Sequence, residues 1–233
     1  APYLCSTKTI ILQFMKTIDQ LEVRGQRILV RVDYNVPLRE DGEVANNQRI
    51  VATIPTLKSI LDRGGRAVLV SHLGRPKAAV DPKFSLRPVA HELARVLGRE
   101  VQFSIHTIGA EAVAATKALA DGEILLMENV RFFPGEESGD ADFAAQLAEL
   151  GDAYVNDAFG TAHRAHASTA VVAQYFKGRS AFGHVMANEI KNVDRVLASQ
   201  EKPAVAVVGG SKVSSKIVIL ERLLGRVDAL LIG

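Results

Sequence analysis

Three arginines and a set of oxygen-bearing side chains stand directly behind short apolar runs, and together they have the chemistry to grip a small anion. Asp33 and Asn35 follow Ile28–Val32, and His72 and Arg75 follow Ala67–Val70. Asn129 and Arg131 follow Ile124–Met127, while Asn156, Asp157, His163 and Arg164 follow Ala153–Val155. Arg49, beside the start of the next helical segment, makes a fourth arginine. A guanidinium offers a planar fork of donors that matches carboxylate or phosphate with two bonds. Crowding several together is costly unless an anion fills the gap. Asp33 and Asn35 are suited to hydroxyls, so the set predicts a small polyanion that carries them. The competing expectation is a solvated surface on which each arginine pairs with Glu128, Asp152 or Asp157.

A second signal is AVAVVGGSKVSSKIVILERLL, in which an apolar run enters Gly209–Gly210 and then a helical pattern. Glycines let backbone amides approach an anion, and a helix N-terminus adds its partial positive charge. Lys212 and Lys216 are four residues apart and share a helix face. This suits a phosphate, although neither the Walker loop nor GxGxxG is present. The competing expectation is a tight turn with two solvated lysines. His163 and His166 lack a Cys or acidic partner at ligand spacing, so no metal site is predicted. His91, His106 and His184 are expected at the surface or satisfied in the core. The acidic stretch Glu136, Glu137, Asp140 and Asp142 is expected to fill a solvated loop and a first helical turn. No GxSxG elbow exists, and Cys5 lies in the first 14 residues, so covalent nucleophilic chemistry has no candidate.

The elements that must position these groups alternate. The apolar runs already named, with Val101–Phe103, Ala204–Val208 and Ala229–Ile232, predict buried parallel strands. Apolar spacings of three and four predict helices over Ile50–Leu61, Val89–Leu97, Ala110–Leu119, Phe143–Leu150, Ile190–Leu197 and Val213–Leu224. Pro55 is expected to delay or kink the first of these. Ser85 is placed as a cap for the second, with Pro88 in its first turn and Gly98 closing it. The pattern predicts an α/β fold: a parallel, Rossmann-like sheet with helices on both faces and the beginning of a second α/β domain. In such a sheet ligands bind beyond the carboxyl ends of the strands, so the anion-gripping groups should meet on one edge. The expected division is a leader over 1–14, a substrate domain over 15–184, an interdomain helix over 185–200 and the incomplete start of a second domain over 203–233.

Composition narrows the class. Of 233 residues 48% are apolar and 23% charged, which excludes disorder as the main state. A net charge of +2 is too small to imply a nucleic-acid or membrane surface. No stretch reaches the ~18 apolar residues of a bilayer span. A single cysteine precludes an internal disulfide and fits a reducing, cytoplasmic setting.

Five segments, RVDYNVP, RGGRAVLVSHLGRP, LMENVRF, YVNDAFGTAHRAHAS and VVGGSKVSSKI, occur in an order that resembles the N-terminal half of the phosphoglycerate kinase family, from about Met15 to Gly233. The resemblance implies reversible phosphoryl transfer from 1,3-bisphosphoglycerate to ADP, giving 3-phosphoglycerate and ATP, in a cytoplasmic monomer. It implies that Asp33 and Asn35 contact the glycerate oxygens, that Arg49, His72, Arg75, Arg131 and Arg164 surround carboxylate and phosphate, and that Gly209, Gly210, Lys212 and Lys216 face the nucleotide. Arg49 and Lys216 would lie nearest the transferred group. Mg2+ would accompany ADP or ATP on ligands beyond Gly233. Asn46–Asn47–Gln48 replaces the acidic residues the family usually carries before its arginine, and GHVMANEI matches the family's linker only in part. Two other readings are a truncated substrate-binding module without turnover and a Rossmann dehydrogenase, the latter disfavoured by its missing glycine fingerprint.

Overall fold

The computed structural model describes residues 16–198, 202–209, 224–225 and 227–233. The proposed leader, Gly210, Lys212 and Lys216, and nearly all of the helix expected over Val213–Leu224 lie outside them. The described residues up to 190 form one compact unit and those from 191 onward a second.

Six parallel strands make the sheet of the first unit: β1 (Arg27–Val32), β2 (Arg66–Val70), β3 (Gln102–Ser104), β4 (Ile124–Met127), β5 (Ala153–Asp157) and β6 (Ser180–Phe182). Their order is β3-β4-β2-β1-β5-β6. The crossovers carry helices α1 (Gln48–Leu61), α2 (Arg87–Leu97), α3 (Ala110–Ala118), α4 (Pro134–Ser138) and α5 (Ala141–Ala148), and α6 (His184–Ala198) follows β6. Successive strand residues point to opposite faces, so β1 feeds two cores. Ile28, Val30 and Val32 pack with Leu57 and Ile60 of α1 and Leu93 of α2. Leu29 joins Val68, Leu125 and Tyr154 with Phe143 and Leu147 of α5 on the other face. Each such side chain contributes about 1.5–3 kcal/mol by leaving water, which makes helices on both faces the stable arrangement. The second unit contains the parallel pair β7 (Val205–Val208) and β8 (Ala229–Ile232). Among the described residues no helix is long and apolar enough to cross a membrane.

Four local expectations need correction. Helix α1 begins early, at Gln48, and runs through Pro55. The carbonyl that proline leaves without a helical donor belongs to Val51, an exposed residue, where water can satisfy it. The cap residue of α2 is Leu86, although Ser85 Oγ still accepts from the Arg87 amide at 3.3 Å. Strand β6 has no counterpart in the sequence reading, and β5 extends two residues further, through Asn156 and Asp157. Gly98 closes α2 in the left-handed region as expected, with φ +69°.

Gly139 matters for the site because it ends α4 at φ +69°, and a Cβ there would stand 2.5 Å from the carbonyl oxygen of Ala165. Gly139→Ala is therefore expected to cost about 2 kcal/mol, from the left-handed conformation and the forced retreat of the Ala165 backbone. Urea unfolding measures it, and a loss under about 0.5 kcal/mol would be incompatible with this packing.

Candidate functional site

The four central strands end at one sheet edge, and the expected groups assemble there. β1 delivers Asp33 and Asn35, and β2 delivers His72, buried with 4% exposure. Arg131 lies in the 3-10 turn Val130–Phe132 just after β4, Arg164 in the loop after β5, and Arg49 in the first turn of α1. The loops are stitched by backbone contacts. Asn129 Nδ2 donates to the carbonyls of Leu73 and Phe84 at 2.8 and 2.9 Å, and Asn35 Oδ1 accepts the Gly74 amide at 2.8 Å. Asn129 is thus consumed in holding the loop after β2, and leaves ligand contact to its neighbours.

Arg31, the penultimate residue of β1, is the member that sequence reasoning missed. It is 1% exposed and points to the same face as Leu29. Its Nε donates to Ser168 Oγ at 2.7 Å, one terminal nitrogen donates to the Val32 carbonyl, and the other lies 3.1 Å from His72 Nδ1. A guanidinium has only donors. His72 Nδ1 must therefore accept, and its proton sits on Nε2. Burial, and then the charges of Arg31, Arg131, Arg164 and Arg49, hold His72 down at about 2 from an ordinary 6.5. The imidazole is neutral, and four guanidinium groups act on it. The signal in the sequence was alternation: Arg31 stands two residues after Leu29 in the same strand and so shares its face.

The pairing of the arginines is mixed. Arg49 bonds Asp33 Oδ2 at 2.9 Å, and Arg131 meets Glu137 at 3.1 Å and the Gly74 carbonyl at 2.7 Å. Arg131 Nε is buried and finds no acceptor among the described residues. Burial, opposed by Glu137, lowers the pKa of Arg131, and Arg164 and Arg31 lower it further. Arg75 is exposed, and neither it nor Arg164 has a carboxylate partner among the described residues. Of the carboxylates expected to neutralise the set, Glu128 accepts the Leu86 amide, Asp157 Oδ1 accepts the Val185 and Met186 amides, and Asp152 pairs with Arg27. The arginine cluster keeps an excess of positive charge.

Beside this cluster lies a cleft of about 360 Å³ lined by Asp33, Arg49, Thr53, Asp157, Phe159 and Gly160. A Cβ on Gly160 would stand 2.9 Å from Asp33 Oδ2, so glycine keeps that wall open. A larger cleft of about 590 Å³ lies by the loop before α1, where Glu92 binds Arg95 at 2.6 Å and Asn47 Nδ2 at 2.7 Å. The described residues contain no group of three or more His, Cys, Asp or Glu able to hold a metal. The acidic stretch departs from expectation at Glu136, which is fully buried, whereas Asp140 caps α5 through the Phe143 amide at 2.7 Å.

The sequence profile described as phosphoglycerate kinase matches residues 18–233. The chain belongs to the phosphoglycerate kinase family. It is 50% identical over 218 residues to the phosphoglycerate kinase of Desulforudis audaxviator, covering 94% of this chain and 55% of that one. It is 52% identical over 217 residues to that of Moorella thermoacetica, covering 93% and 54%. Among solved structures, phosphoglycerate kinase from Coxiella burnetii superposes with TM-score 0.82 at 40% identity, covering 94% of this chain and 54% of the other. The enzyme from Pyrococcus horikoshii gives 0.83 at 28%, covering 94% and 55%. The chain spans about half the length of the phosphoglycerate kinases it matches.

Proposed function

We propose that this chain supplies the phosphoglycerate side of a phosphoglycerate kinase, which moves a phosphoryl group reversibly between 1,3-bisphosphoglycerate and ADP. The observation that carries the reading is the set of four arginines, Arg31, Arg131, Arg164 and Arg49, all bearing on one buried neutral imidazole. Such a field has a use only when an anion enters it. Arg31 through His72, Arg75, Arg131 and Arg164 bind carboxylate and phosphate oxygens, and His72 Nε2–H adds a neutral donor. Asp33 and Asn35 orient the glycerate hydroxyl. Transfer between an acyl phosphate and a nucleotide needs alignment and charge stabilisation in place of a protein nucleophile. Arg49, half-exposed and held by Asp33, is the group on this side that serves the moving phosphoryl. Gly209, Gly210, Lys212 and Lys216 are assigned to the nucleotide by family likeness. Mg2+ bound with ADP or ATP supplies charge neutralisation between the phosphates. The near-neutral composition and lone cysteine support a cytoplasmic protein without nucleic-acid or membrane partners, and the family likeness supports a monomer.

Titration with 3-phosphoglycerate tests the reading. Arg131→Ala and Arg75→Ala are each expected to weaken binding by about 2 kcal/mol, the scale of one charge-assisted hydrogen bond. Unchanged affinity in both would remove the arginine cluster from substrate binding.

A further inference from the structure

Glu136 has no exposed surface and belongs to an acidic stretch that solvent was expected to cover. Its carboxyl group accepts twice from one residue: the Ser168 amide donates to Oε2 at 2.9 Å and the Ser168 hydroxyl to Oε1 at 2.7 Å. A serine hydroxyl has one proton, so committing it to Glu136 turns the oxygen's lone pairs toward Arg31 Nε, which donates at 2.7 Å. Arg31 in turn donates to His72 Nδ1 at 3.1 Å. Every bond in this buried row has one possible direction, and such rows polarise and rigidify one another. His166 Nδ1 stands 3.7 Å from the same carboxyl group, too far for a hydrogen bond. The Ser168 backbone has its own anchor, since the Tyr154 hydroxyl donates to the Ser168 carbonyl at 2.9 Å. The Glu136 contact with the serine hydroxyl is therefore more than is needed to hold the turn.

We propose that Glu136 is a positioning residue: acting through the Ser168 hydroxyl, it sets the Arg31 guanidinium plane and, through Arg31, the orientation and tautomer of His72. The inference rests on the reading of this edge as the phosphoglycerate site. A carboxyl group beneath the arginines, out of reach of the guest, orders its receptors without competing for them.

Two readouts on the whole chain separate this role from simple backbone support. The first needs no ligand: hydrogen exchange of the Arg31 Nε–H, followed by nitrogen-15 NMR. The second is the dissociation constant of 3-phosphoglycerate. Ser168→Ala keeps the amide bond to Glu136 and removes only the hydroxyl, so it remains informative if Glu136→Gln fails to fold. Each variant should speed Arg31 exchange and weaken binding, both about tenfold, and the double variant should be no worse than either single one because the two act in series. Ser168→Thr, which restores the oxygen, should recover most of the affinity. Unchanged Arg31 exchange in Ser168→Ala, or roughly hundredfold weakening in the double variant, would overturn the proposal. If the unmodified chain binds no 3-phosphoglycerate while Arg31 exchange still responds in both variants, the positioning row stands and the ligand assignment falls.

Discussion

Replacing Arg31 by Met is expected to lower the folding free energy by about 3–5 kcal/mol, because the change deletes one partner of a buried charge network and strands the others. Methionine fills much of the volume, so a cavity is not the main cost. What is lost is the donor to Ser168 Oγ and the donor to His72 Nδ1, both inside the protein. Glu136 would then be a buried carboxyl group facing a hydroxyl with nothing behind it. Urea unfolding followed by circular dichroism measures the effect. A loss below about 1 kcal/mol would mean that Arg31 reaches water in solution and that the row described above is not formed.

The second expected result concerns acid. His72 is neutral when folded, held at about 2, whereas in the unfolded chain it takes up a proton near 6.5. The unfolded state thus binds the extra proton, so this group's contribution to stability is present above pH 6.5 and is lost as the pH falls below it. Linkage gives a loss of about 3 kcal/mol between pH 6.5 and about pH 4 from this one side chain. Carboxylates also respond over this range, so the measurement is a difference: the unmodified chain should lose about 3 kcal/mol more than His72→Gln between those two pH values. Parallel acid profiles for the two proteins would show that the imidazole is solvated, and the account of the site's charge would have to be rebuilt.

Much of this architecture could be read from residue order because it depends on simple periodicities. Strands β1, β2, β4 and β5 are apolar runs bounded by polar residues, and buried parallel strands have no other sequence signature. That the polar groups behind them meet on one edge follows from parallel topology. The failures have physical causes. β6 is three residues, Ser180–Phe182, paired only with β5, too short for alternation to register. Arg31 lies inside an apolar run, where a lone charge reads as a strand end; its burial depends on Ser168, 137 residues away. Glu136 looks like its neighbours Glu137 and Asp140 in composition, and only the turn over Ala167–Val171 distinguishes it. Asp157 was read as one of the anion-gripping groups, with pairing to an arginine as the alternative, but the strand carries it under the first turn of α6, where two amides take its oxygen.

The fixed tautomer of His72 has an outcome for selectivity. With Nδ1 occupied by Arg31, the ring and the surrounding guanidiniums turn only hydrogens toward a visitor. A guest oxygen is welcome in proportion to its lone pairs, and an ammonium or an acid O–H would meet hydrogen with hydrogen. Protonating the visitor's own phosphate should therefore loosen its hold even where the protein itself has not changed.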